Sequence, residues 1–205
     1  MKMTVSCHFS RSHCHVERSR DIFNNMIISL TGFMGCGKSS VGRKLSELLC
    51  CRFMDLDDCI VEEAGCSILE IFAQQGEPAF RKLEQEVLKN IVSVNSEDNI
   101  VLALGGGAVM TSGSEDIVHE GTICIYLKAS VDTLIEHLTG ETAGRPMLNQ
   151  QTVMSSESET SPLRARILEL MSLRAATYER TAHHTIDTDG KTVEEIAATI
   201  VQAIK

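Results

Sequence analysis

Residues Met26–Ser40 read MIISLTGFMGCGKSS: a short apolar run rich in β-branched residues, glycines at 32, 35 and 37, then a lysine and two serines. Gly32, Gly37, Lys38 and Ser39 satisfy the spacing G-x-x-x-x-G-K-S/T. Glycines let successive backbone amides curl around phosphate oxygens, and a helix that starts at the lysine favours negative charge at its N-terminus. Lys38 then reaches the β- and γ-phosphates of a nucleoside triphosphate, and the Ser39 hydroxyl is a ligand for Mg²⁺. Gly35, Cys36, Gly37, Lys38, Ser39 and Ser40 are therefore the expected nucleotide side of a site. The plainer alternative is a glycine turn that caps a helix.

Outward from this loop the alternation of strand and helix continues. Strand-like runs are expected at 26–31, 52–54, 100–104, 122–127 and 184–187. Helical patterns fall at 38–49, 57–64, 67–74, 78–94, 131–138, 163–182 and 193–204. Nearly continuous apolar strands separated by helices imply an α/β fold with a parallel sheet covered on both faces. Such sheets bind ligands beyond the carboxyl ends of their strands. One stretch, about 139–161, is rich in Thr, Ser, Glu and Gln and has no apolar period, so it is read as a lid. Its GRPML core, Gly144–Leu148, places Arg145 in that lid.

The chain has 205 residues, a formal net charge of −9, 8 Cys and no Trp. One core of this size needs neither a disulfide nor a structural metal. An excess of 28 Asp and Glu over 19 Lys and Arg opposes binding to a nucleic-acid backbone, and 2 Tyr and 6 Phe make a poor base-stacking platform. No run of 18 apolar residues exists and the first residues lack the apolar stretch of a secretory signal, so no membrane partner and a cytoplasmic location are expected. The cysteines then read as reduced thiols packed like small apolar residues. Residues 1–25, MKMTVSCHFSRSHCHVERSRDIFNN, read as a disordered extension or a mis-assigned start, with 26–205 as one domain. Cys7, His8, His13, Cys14 and His15 match no zinc-binding spacing.

Four further segments carry candidate chemistry. FMDLDD, Phe53–Asp58, closes the second strand. An extended backbone aims Asp55 and Asp57 along one side, where one carboxylate holds a metal and the other takes or orients a hydroxyl proton. Capping of the next helix, Asp58 included, is the alternative. In GEPAFRKLEQEV, Gly76–Val87, Arg81 and Glu84 share a helix face, either as a solvated pair or with the arginine presented to a carboxylate. LGGGAV, Leu104–Val109, puts three glycines at a strand end, where no packing use is evident and backbone amides can approach a ligand. LRAATY, Leu173–Tyr178, carries Arg174, either a ligand or a surface cation.

In this order and spacing, GFMGCGKSSVGRKL, FMDLDDCIVEEAGCSILEIFAQQGEPAFRKLE, LALGGGAV, GRPML, LRAATYER and IDTDGKTVEEI resemble the shikimate kinase family, from Met26 to about Lys205. The resemblance implies a P-loop kinase fold of the nucleoside-monophosphate-kinase type: three layers, α/β/α, with a five-stranded parallel sheet and a mobile lid. It implies transfer of the ATP γ-phosphoryl group to the 3-hydroxyl of shikimate, on the chorismate route to aromatic amino acids, by a monomer with Mg²⁺. Asp57 would orient or deprotonate the hydroxyl; Arg81 and Arg174 would clamp the carboxylate, with Gly106, Gly107 and Glu84 in support. Ser39 and Asp55 would serve the metal, and Lys38 and Arg145 the transferring phosphoryl group. HLTGETAG, His137–Gly144, departs from the family by lacking an arginine near the lid's start, and Lys191 is the candidate to replace it on the adenine side. A gluconate-type kinase would keep the phosphate loop without Arg81, Arg174 and the glycines. A non-catalytic nucleotide-binding module would lack Ser39, Asp57 or Arg145.

Overall fold

The computed structural model describes residues 26–93, 98–140 and 162–205. The readings of 1–25 as an extension, of 141–161 as lid and of Arg145 as its cation lie outside these residues. Within them the chain runs β1 (Ile27–Thr31), α1 (Lys38–Leu49), β2 (Arg52–Asp55), α2 (Leu56–Ala64), α3 (Ile68–Ser93) and β3 (Ile100–Ala103). A 3₁₀ turn at Ala108–Met110 leads to α4 (Ser114–Gly121), β4 (Ile123–Lys128) and α5 (Val131–Gly140), then α6 (Pro162–Thr181), β5 (His184–Asp187) and α7 (Val193–Ala203).

All five strands are parallel, in the order β2-β3-β1-β4-β5, with Ser29 of β1 level with Leu102 of β3 and Cys124 of β4. Period-two alternation divides the strand residues between two cores. Ile28, Leu30, Val101, Ile125 and Leu127 join Val41 and Leu45 of α1 and Ile196 and Ile200 of α7. Ile27, Ile100, Leu102, Cys124 and Tyr126 join Leu56, Ile60, Ile71, Leu88 and Tyr178. This is the buried-on-both-faces geometry that continuous apolar strands require. From β1 the chain leaves towards β2, and from β3 it leaves across β1 to β4. The two adjacent strands thus open a crevice at their carboxyl ends, the place where such sheets take ligands.

Several boundaries differ from the sequence reading. The helices expected at 67–74 and 78–94 join as α3, which bends at Gly76, whose φ of 79° and ψ of 173° are not helical. Pro78 follows in the first turn after this break, where a proline costs no hydrogen bond. Thr139 and Gly140, expected in the lid, finish α5 instead. The helix α4 was not expected at all; with only eight residues, Gly113 before it and Gly121 at its end, it shows too little apolar period to read. Among the described residues no disulfide joins Cys36, Cys50, Cys51, Cys59, Cys66 and Cys124, and burial pushes the thiols of Cys51 and Cys124 up to about 11.

Candidate active site

The loop after β1 turns on glycines at positive φ, with 140° at Gly32, 83° at Gly35 and 89° at Gly37. Gly37 is the N-cap of α1 and brings no side-chain acceptor, so the cap residue leaves the first-turn amides of the helix to the crevice. Lys38 Nζ donates to the carbonyls of Gly32 and Phe33, both at 2.9 Å, which folds the lysine over its own loop. Gly35, Gly37, Lys38, Ser39 and Ser40 line a cleft of about 900 Å³. Cys36 does not: it is 2% exposed, packs into the core behind the loop, and its amide donates to Phe33 O.

Asp55 ends β2 and is the N-cap of α2. Its Oδ1 accepts from the Asp57 amide at 3.1 Å while its Oδ2 accepts from Ser39 Oγ at 2.7 Å. The cap is thus Asp55 rather than Asp58, and Asp57 lies in the first helical turn rather than on extended backbone. A helix start serves the same end as a strand would, since Asp55 and Asp57 both line the cleft. Burial first, and then the neighbouring Asp55 carboxylate, push Asp57 above the usual carboxylate range, with Lys38 and Arg81 pulling the other way.

Arg81 and Glu84 are not a solvated pair. Glu84 is 2% exposed and its Oε2 accepts from Arg81 Nη1 at 2.7 Å, while Glu77, one turn back, holds Arg81 at 3.3 Å. Burial raises the Glu84 carboxyl above its ordinary range despite the guanidinium beside it. Burial works against the charge on Arg81 too, but the carboxylates of Glu84 and Glu77 outweigh it and hold that charge more firmly than in water. Arg174 is 9% exposed, with Nη1 donating to Gly106 O at 3.4 Å and its guanidinium 6.0 Å from the Phe33 ring centroid. Tyr178, one turn on, also donates from its hydroxyl to Gly106 O. Arg174 is thus a buried cation, not a surface one.

The three glycines have the packing use that the sequence did not reveal. A Cβ on Gly105 would lie 2.9 Å from Glu84 Oε1 and 3.1 Å from Asp57 Oδ1, and one on Gly107 would lie 2.8 Å from Arg81 Nη1. One on Gly106 would sit 3.3 Å from the Met34 amide, so the loops after β1 and β3 touch there. Side chains from α2 and α3 can enter the crevice only because this segment has none.

The fold therefore gathers Lys38, Ser39, Asp55, Asp57, Arg81, Glu84, Gly106, Gly107 and Arg174 around one cleft. Lys191 is not among its lining residues; its Nζ donates to Asp187 O at 2.6 Å. Sequence reasoning missed Phe72 and Phe80 on α3, Tyr178, and Glu136 and His137 on α5. Tyr178 was findable as the i+4 neighbour of Arg174 and Phe80 as the residue before Arg81; nothing local marks His137.

The arrangement can hold a polyphosphate on backbone amides at one end and an anionic hydroxyl compound between arginines and a carboxylate at the other. Comparisons with known proteins agree. A family profile described as "Shikimate kinase" matches residues 34–205. A shikimate kinase of Salinibacter ruber is 38% identical over 179 residues, 87% of this chain and 84% of that protein. One of Geobacter metallireducens is 42% identical over 173 residues, 84% of this chain and 88% of that protein. Among solved structures, shikimate kinase from Acinetobacter baumannii in complex with shikimate aligns with a TM-score of 0.76 at 31% identity, covering 87% of this chain and 92% of that one. Shikimate kinase from Bacteroides thetaiotaomicron aligns with a TM-score of 0.75 at 26% identity, covering 87% and 98%.

Proposed function

The chain belongs to the shikimate kinase family, and we infer from that membership and from the cleft's geometry that it transfers the γ-phosphoryl group of ATP to the 3-hydroxyl of shikimate. The observation that carries the reading is the pairing of a phosphate loop with Asp57, Arg81 and Arg174 across one crevice. A gluconate-type acceptor has no need of that combination.

Phosphoryl transfer asks for alignment and positive charge more than for covalent help. The amides of Gly35, Gly37, Lys38, Ser39 and Ser40 take the β- and γ-phosphates, and Lys38 swings from its loop carbonyls to the γ-phosphate. Arg174 and Arg81 grip the acceptor's carboxylate, with the Gly106 and Gly107 backbone alongside. Glu84 fixes the guanidinium of Arg81, so the clamp loses little rotamer entropy on binding. Asp57 accepts a hydrogen bond from the reacting hydroxyl, and its raised pKa makes it a stronger base than a solvated carboxylate.

Ser39 Oγ and Asp55 Oδ2, already 2.7 Å apart at the cleft, are the hard oxygen donors that suit Mg²⁺. They would hold the ion, the serine directly and the carboxylate through water, and the ion supplies neutralisation of phosphate charge. Arg145 is assigned by its motif to the transferring phosphoryl group, whereas Lys191, the candidate to replace the lid-start arginine on the adenine side, does not line the cleft. Among the described residues no helix is long and apolar enough to cross a membrane. A cytoplasmic monomer with no nucleic-acid partner fits the acidic charge. A coupled ADP-release assay with shikimate, gluconate or no acceptor tests the reading: release should require shikimate, and release indifferent to it would refute the assignment.

A further inference from the structure

The last turn of α5 reaches back to the phosphate loop. His137 Nδ1 lies 2.7 Å from the carbonyl oxygen of Gly35, and because a carbonyl only accepts, that ring nitrogen is the donor. From the other side Leu138, 4% exposed, packs so closely that a Cβ on Gly35 would lie 3.0 Å from its Cγ. Gly35 is left-handed and is therefore free to rotate where a residue with a side chain would not be. Two successive residues of α5 hold it, one by a polar contact and one by an apolar one.

The consequence lies in the planarity of the peptide. Fixing the Gly35 carbonyl also fixes the Cys36 amide, which donates to Phe33 O at 3.2 Å and closes the turn. Rotation of this one peptide would open that turn and re-aim a carbonyl dipole among groups that must present amides to an anion. His137 lines the same cleft as Gly35, Gly37, Lys38 and Ser39, whereas Lys191 does not.

We propose that His137 is a positioning residue for the nucleotide, holding the Gly35–Cys36 peptide so that the phosphate loop is set before ATP enters. The inference rests on the reading of that loop as the ATP site.

The test uses the full chain as wild type, His137→Ala, His137→Asn and His137→Gln. It measures ADP affinity by calorimetry without acceptor, and KM for each substrate in steady state. Asn places its amide nitrogen near the position of Nδ1; Gln places its own near Nε2. Loss of one such hydrogen bond should raise ADP Kd and ATP KM about fivefold in His137→Ala, with shikimate KM and kcat within about twofold of wild type. His137→Asn should recover most of the loss and His137→Gln should not. Unchanged nucleotide affinity in His137→Ala, equal losses for both substrates, or identical behaviour of Asn and Gln would overturn the inference alone. Failure of the wild type to bind ADP would overturn the reading of the loop, and this inference with it.

Discussion

The two ends of the cleft are built on different principles. The phosphate end comes from one contiguous segment and works mainly through backbone: glycine turns, an uncapped helix start and a single lysine. The acceptor end is assembled from α2, α3, α6 and the loop after β3, and works through charged side chains held largely out of water. Backbone amides carry no charge of their own that needs a partner and require only that the turn be held, as α5 holds it at Gly35. Buried charges do not: each needs a partner, and removing one leaves another uncompensated. Substitutions at the acceptor end should therefore disturb both chemistry and stability, while the phosphate end should lose affinity with little loss of fold.

The largest expected effect separates catalysis from nucleotide binding at their common border. Asp57→Asn should lower kcat by about a thousandfold, within the range for removal of a general base. ADP affinity by calorimetry should stay within a few fold. Because the folded pKa of Asp57 is raised, its ionised form costs stability above that pKa, and the cost fades as pH falls towards the unfolded value. The Tm of Asp57→Asn at pH 8 should therefore not fall; a drop in Tm with kcat retained would remove Asp57 from the mechanism.

Next comes the ion pair at the heart of the acceptor end. Glu84→Ala strips Arg81 of its buried partner and should cost about 3 kcal/mol. In a domain of this size that is a fall in Tm of about 10 °C. A Tm within about 2 °C of wild type would mean that the pair is better solvated than its burial implies. Arg174→Ala should raise KM for shikimate about thirtyfold, the worth of a charge-assisted hydrogen bond to a carboxylate, and leave KM for ATP nearly alone. A matching rise in both would place Arg174 at the wrong end of the cleft.

The smallest effect belongs to the phosphate end. Cys36 of this loop is buried behind it, while Cys50 is exposed. A brief treatment with an aromatic disulfide should label Cys50 and leave activity within about 20%, since reactivity follows exposed thiolate. Rapid inactivation with label on Cys36, read by peptide mass, would show that the loop opens far more readily than its packing indicates.

The same contrast explains what could be read from sequence. The five strands, the phosphate loop and most helices were legible to within a residue or two, because period and motif are local properties. The role of Gly105, Gly106 and Gly107 was half legible. Their close approach to something was evident, but not that Glu84, Asp57 and Arg81 fill the space, since those contacts join residues far apart in sequence. Asp55 read as one of a strand-end pair and proved to be a helix cap that also binds Ser39, a fact that depends on where β2 stops. Arg81 and Arg174 each had a solvent-exposed reading in the sequence, and only tertiary burial decides against it. His137 had no local mark at all, because its importance comes from α5 ending beside Gly35.

The central claim is tested most directly by identifying the product. Incubation of the purified chain with ATP, Mg²⁺ and shikimate, followed by phosphorus NMR and mass spectrometry, should yield ADP and a single new phosphate monoester on the 3-hydroxyl in equal amounts. Inorganic phosphate in place of the ester, or an ester on another hydroxyl, would contradict the account.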